Sequence, residues 1–385
     1  MPHYLDYNAT APVRPEARET MIRALELSGN PSSVHAAGRE ARAAVEEARR
    51  KVAALAGARP AEVVFTGSGS EANNFALAGP RPGRLVVSAI EHASVLRPAA
   101  ERPGRFAMVP VTAEGVVDLE ALARVLAEGG EDEPTLVSVM MANNETGVIQ
   151  PAAEVVRIAK RAGALVHCDA IQAAGRIALD FAGLGCDLMT LSAHKIGGPK
   201  GVGALVRREG LALAPLVSGG GQERGSRAGT ENVPGIAGFG AAAEAAAREL
   251  AGGVEIERQR RLRDRIEDAV RGPGREARIV GAGAPRLANT SCIALPGARA
   301  ETQVIACDLA GVAVSAGSAC SSGKVEPSHV LAAMGLAPEL VSSAIRVSLG
   351  YASTDADIEA FVAAWTAVRA RAAAGAAPAQ ERQTV

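Results

Sequence analysis

The 385-residue sequence has no apolar run reaching the roughly 18 residues that a membrane-spanning helix needs. Its first residues, MPHYLDYNAT, lack both a basic stretch and an apolar core, so they do not read as a secretory signal. Neither charge is in excess. The formal net charge of −1 argues against a polyanion-binding surface, and so against a nucleic-acid partner. There is no CxxC pair and no metal-ligand spacing among the five cysteines, and an odd, unpatterned set suits a reducing compartment. Lysine is scarce beside arginine, which makes each lysine easy to inspect. These absences leave a cytoplasmic, enzyme-like globule as the expectation.

Hydrophobic residues make up 48% of the chain, enough for a substantial core, and the length predicts two domains or a large one with a lesser. Cys168, Cys186, Cys292 and Cys307 sit in apolar company and read as small buried hydrophobes. Cys320 stands apart, because nothing in SAGSACSSG would bury it.

A helix is expected from Ala36 to Ala56, where Ala41, Ala44, Val45, Ala48, Val52 and Leu55 repeat at three and four and Gly57 stops the pattern. Short β-branched runs then alternate with helix-length connections: EVVFT, RLVVSA, TLVSVMMA, ALVHCDA, CDLMTLSA and GVGALVRR. Such runs predict an α/β fold with a mostly parallel sheet between helices. The segment from Ala241 to Val270 reads as one long helix leaving that domain. A closing helix presents Ile358, Phe361, Val362, Trp365 and Val368 on one face, opened by Thr354 and Asp357. The expected division is a large domain over 15–250, and a smaller α+β domain from 1–14 with 251–371. A disordered tail is expected over 372–385.

Ligands in α/β sheets bind outside the carboxyl ends of strands, so the residues just past each strand carry the information. EVVFT is followed by GSGSEANN, where Gly69 and Ser70 at a helix start suit an anion. His92 follows the second run, Asn143 and Asn144 the third, Asp169 and Gln172 the fourth, and Lys195 the fifth. Singly, each has a dull alternative as a cap, a loop residue or a solvated charge. Together they make the set that pyridoxal 5'-phosphate needs: a lysine for a Schiff base, a carboxylate for the pyridinium nitrogen, a flat group for the ring face and an anion cradle.

The motifs SAHKIGGPKGVGAL, EHASVL, NNETGVIQP, HCDAIQAAG, GGGQERGSRAGTENV and SAGSACSSG with EPSHVL and SSAIRVSLG resemble those of cysteine desulfurases of the NifS/IscS group. That group belongs to the fold-type I pyridoxal-phosphate enzymes of the class V aminotransferase family. The resemblance spans nearly the whole chain. It implies that Lys195 carries the cofactor, His92 stacks on its ring and moves protons, Asp169 pairs with the ring nitrogen, and Gln172 contacts the ring hydroxyl. Gly69, Ser70, Ser192 and His194 would hold the phosphate, and Asn144 would contact cofactor and substrate. Thr230 would serve the partner subunit's phosphate, which implies a homodimer, and Arg346 would receive the carboxylate of L-cysteine. Two departures stand out: Gly197 replaces a usual aromatic, and GSGS replaces serine-glycine-alanine-threonine.

By the same resemblance Cys320 attacks the substrate sulfur, holds it as a persulfide and passes it to an acceptor protein such as an iron–sulfur scaffold. Gly317 and Gly323, with Ser318, Ser321 and Ser322, suit a loop that must swing between pocket and acceptor. A selenocysteine lyase or aminotransferase on the same cofactor, or a non-catalytic scaffold, are the competing expectations.

Overall fold

The computed structural model describes residues 3–102, 105–129, 134–271, 277–317 and 327–376. Its centre is a seven-stranded sheet whose spatial order is Val63–Thr66, Gly203–Arg207, Leu188–Ser192, Leu165–Asp169, Thr135–Met140, Arg84–Ser88 and Phe106–Val109. Every pairing is parallel except the two made by Gly203–Arg207. All six apolar runs of the sequence are strands here. The edge strand Phe106–Val109 escaped notice because its four residues are short and only partly buried.

Parallel strands need crossovers, so the helices lie over the sheet faces and the strands are apolar on both sides. On one face Val86, Val137, Val166 and Met189 pack with Val45, Val52 and Phe239 of the helices Ala36–Ala56 and Val233–Gly252. On the other, Leu85, Leu136, Leu188 and Leu205 pack under the helix Gly69–Ala78. The expected single helix over 241–270 is two, Val233–Gly252 and Val254–Val270, because Gly253 takes a left-handed φ of 69°.

A second, four-stranded antiparallel sheet runs Ser315–Ala316, Ala344–Ser348, Thr290–Ala294, Arg278–Ile279. Ile345, Val347 and Ile293 pack against Ile358, Phe361 and Trp365 of the closing helix. Thr354 donates both its N–H and its hydroxyl to Asp357 at the start of that helix. The helix continues to Ala376, past the point at which a disordered tail was expected, since Ala372 still packs against this core and alanine is the strongest helix former. Residues 377–385 lie outside the described residues, as does Cys320. The amino-terminal strand His3–Tyr4 pairs with Val312–Ala313, which carries residues 5–10 across to the large sheet. Among the described residues no helix is long and apolar enough to cross a membrane.

Candidate active site

The carboxyl ends of the parallel strands open on one cavity of about 290 Å³. It is lined by Gly69, Ser70, His92, Asn144, Asp169, Gln172, Ser192, His194, Lys195 and Arg346, all expected from the sequence. Asp169 is the last residue of its strand and stands opposite Thr190, two residues before the next strand ends at Ser192, so the adjoining strand ends bring both to the cavity. Lys195 follows in the single turn Ala193–Lys195.

Lys195 Nζ donates to the carbonyls of Asn8 (2.5 Å) and Ala9 (2.9 Å), and Gln172 Nε2 donates to the same Asn8 carbonyl at 3.0 Å. The amino-terminal segment therefore forms a wall of the cavity, which was not foreseen. Asp169 receives the Ile171 N–H on one oxygen (2.9 Å) and the Asn73 amide on the other (2.8 Å). Burial raises its proton affinity, against the lowering pull of those two bonds and of His92 and Lys195. His92 caps the helix Ala93–Ala100, its Nδ1 accepting the Ser94 N–H at 3.1 Å. Burial lowers its pKa, while Asp169 opposes the shift. His194 is pushed down to about 4 by burial and then by Lys195 and Lys200, so it is neutral at physiological pH.

The helix Gly69–Ala78 starts at the cavity, with Ser68 Oγ capping the Glu71 N–H at 3.0 Å. A Cβ on Gly69 would sit 2.6 Å from Ile171 Cδ1, so glycine lets this helix start close against Ile171 and Ser192. Gly197 has φ of 83°, and a Cβ there would lie 2.6 Å from the Arg14 side chain. That stem leads to an ion pair with Glu249, which accounts for glycine where an aromatic was the family expectation.

Arg346 is 2% exposed. Its Nη2 donates to Asp6 at 2.7 Å and its Nη1 to the Asn144 carbonyl at 3.1 Å, while its Nε is buried with no partner among the described residues. Of the five N–H donors of a guanidinium, those two bonds and the buried Nε leave two for a ligand, one on each terminal nitrogen. Asn143, by contrast, turns inward: its carbonyl oxygen accepts from the N–H groups of Glu145 and Thr146 and builds the turn. Thr230 does not line the cavity. It is exposed in a neighbouring cleft with Gly67 and Arg227.

Asp6 and Asn8 were the residues missed. The clue was the polar run LDYNAT in a segment with no helix or strand pattern of its own. The four apolar cysteines are buried as expected. The segment 318–326 carrying Cys320 is outside the described residues, but its flanks are fixed near the cavity. Ser315 Oγ donates to Asp6 at 2.8 Å, and Ser328 Oγ donates to Glu145 at 2.5 Å, beside Asn144.

Residues 3–361 match the family described as aminotransferase class-V. The chain is similar to a cysteine desulfurase of Cereibacter sphaeroides, 44% identical over 367 residues that cover 92% of each chain. It is similar to an IscS-like cysteine desulfurase of Mycobacterium tuberculosis, 40% identical over 98% of this chain and 100% of the relative. Among solved structures it is similar to a NifS-like protein from Rickettsia africae, 36% identical with a TM-score of 0.89, covering 96% of this chain and 99% of that one. The chain belongs to the class-V aminotransferase family, on its cysteine desulfurase branch.

Proposed function

We propose that the protein is a cytoplasmic, homodimeric L-cysteine desulfurase that uses pyridoxal 5'-phosphate and passes sulfur through Cys320 to an iron–sulfur scaffold. The observation that carries this reading is the single cavity into which Lys195, Asp169, His92 and Arg346 all open. The donor set fits the cofactor. Asp169 is a buried carboxyl that lacks enough positive charge, which a cationic ring nitrogen would supply. The first turn of the helix at Gly69 and Ser70, with Ser192 and neutral His194, offers uncharged donors to a phosphate. When bound, the cofactor supplies the electron sink that lets a Cα proton leave and a C–S bond open.

The chain's own groups do the rest. Lys195 supplies the amine for covalent attachment, and with His92 is placed to move protons at the substrate carbon and sulfur. Gln172 is assigned to the ring hydroxyl, Asn144 to cofactor and substrate. Arg346, anchored by Asp6 and the Asn144 carbonyl, directs its remaining donors to the substrate carboxylate. Exposed Thr230, away from its own cavity, is assigned to the partner copy's phosphate.

The sulfur step balances without an external oxidant. L-cysteine and the Cys320 thiol become L-alanine and a Cys320 persulfide: one C–S bond breaks, one S–S bond forms, and the methyl group takes up a proton. An unperturbed thiol of pKa about 8.5 is only a few per cent thiolate at pH 7, so a neighbouring base must assist.

The test is release of alanine and sulfide from L-cysteine with a reductant, comparing wild type and Cys320→Ser at matched cofactor loading. Release by wild type alone supports the reading. Equal turnover by both removes the persulfide step and leaves a lyase.

A further inference from the structure

Beneath the cavity runs a file of buried polar side chains, of which only Asn73 has been met above, through its bond to Asp169. Ser138, His167, Thr190 and Asn73 are all fully buried. The contacts run Ser138 Oγ to His167 Nδ1 at 2.8 Å, His167 Nε2 to Thr190 Oγ1 at 3.3 Å, and Thr190 Oγ1 to Asn73 Oδ1 at 2.6 Å. Asn73 Nδ2 then donates twice, to Asp169 Oδ2 at 2.8 Å and to Ser94 Oγ at 2.9 Å. Ser94 Oγ lies 2.7 Å from His92 Nδ1.

The direction of these bonds can be worked out. A carboxylate only accepts, so the Asn73 atom facing Asp169 is the amide nitrogen. Its oxygen therefore faces Thr190, whose hydroxyl must donate to it. With that proton committed, Thr190 Oγ accepts from His167 Nε2–H, and His167 Nδ1 accepts from Ser138. On the other side, Ser94 Oγ accepts from Asn73 and has its own proton left for His92 Nδ1. The Ser94 backbone N–H points at the same nitrogen from 3.1 Å. Two donors converge on Nδ1, and a proton there would meet both.

We propose that Asn73 and Ser94 are positioning residues that hold His92 as the Nε2–H tautomer, with Asn73 bracing Asp169 and His92 through one amide. His92 then has only Nε2 to offer the cavity it lines, so every proton it moves passes through that atom. The functional consequence rests on the desulfurase reading. The tautomer itself does not.

The experiment is ¹⁵N NMR of ring-labelled histidine in the full chain loaded with pyridoxal phosphate, with the His92 signals assigned by loss in His92→Gln. Wild type should show a single Nε2–H form, and Ser94→Ala should show a mixture of tautomers. Loss of orientation in one acid–base group should lower kcat by roughly tenfold, a fraction of the total such a group supplies, with KM little changed. Ser94→Thr, which keeps the hydroxyl, should restore both. An Nδ1–H form in wild type overturns the proposal, as does a Ser94→Ala protein with unaltered ring signals and kcat. A wrong desulfurase reading appears separately, as no alanine from any variant while the tautomer can still be read.

Discussion

Arg346→Lys offers the sharpest test of the substrate-binding arrangement. In the structure two guanidinium N–H groups are committed, to Asp6 at 2.7 Å and to the Asn144 carbonyl at 3.1 Å. With Nε buried, two remain for a ligand, enough for a two-bond grip on a carboxylate. A lysine ammonium has three donors in all, and the same two acceptors take two of them. One donor is left, so one charge-assisted hydrogen bond of the pair is lost, at about 1.5–3 kcal/mol. At 1.36 kcal/mol per tenfold, kcat/KM for L-cysteine should fall by roughly 10- to 150-fold. The carboxylate is remote from the breaking C–S bond and is held equally before and during reaction, so the loss should appear mainly in KM. Steady-state alanine formation over a wide cysteine range reads the split, and a thermal melt checks that the buried site still folds. A folded Arg346→Lys protein with wild-type KM would refute the assignment.

Asp6→Asn should act with the opposite sign: it keeps an acceptor for Arg346 but removes a negative charge that competes with the substrate carboxylate, so KM should fall several-fold while the cofactor-free protein loses about 1 kcal/mol of stability. A raised KM would show instead that the Asp6 charge is needed to aim the guanidinium. Burial pushes the Glu91 carboxyl from 4.5 up to about 8, against bonds from Ser88 and the Met140 N–H, so the folded protein keeps a proton there that the unfolded chain releases above pH 4.5. Stability from this group is therefore lost as pH rises through that window, by about 1.4 kcal/mol per unit, and Glu91→Gln should be more stable than wild type at pH 8 but not at pH 5 in denaturant titrations. Parallel pH profiles for the two proteins would count against a neutral Glu91. Glu223 grips Arg49 through bonds of 2.7 and 2.9 Å inside the protein and holds its own residue at a left-handed φ of 46°. Glu223→Ala removes the buried one of Arg49's two carboxylate partners, leaving Glu46 at 3.1 Å and the Val63 carbonyl at 2.9 Å, and should cost about 3 kcal/mol in chemical denaturation; a loss below about 1 kcal/mol would mean that these two suffice for Arg49.

The fold class and most of the cavity were legible in the sequence because both depend on local pattern. Continuous apolar runs mark strands buried on two faces, and parallel connections place their carboxyl ends along one edge. The residues at or just past those ends, His92, Asn144, Asp169 and Lys195, were bound to meet once the strands paired in order. The break at Gly253 and the edge strand Phe106–Val109 were not legible, since one glycine or four half-buried residues carry too weak a local signal.

What tertiary structure alone decided is which polar groups hold the reactive ones. Asp6 meets Arg346 across 340 positions and Asn8 meets Lys195 across 187, contacts created when the amino-terminal strand pairs with Val312–Ala313 and leads the chain back over the large sheet. Asn73 reaches Asp169 across 96 positions because its helix lies on the sheet beside that strand's end. The identity of a reacting side chain follows from its chemistry and its place after a strand. Its orientation and proton depend on buried hydrogen bonds, whose partners are set by packing between segments far apart in the chain.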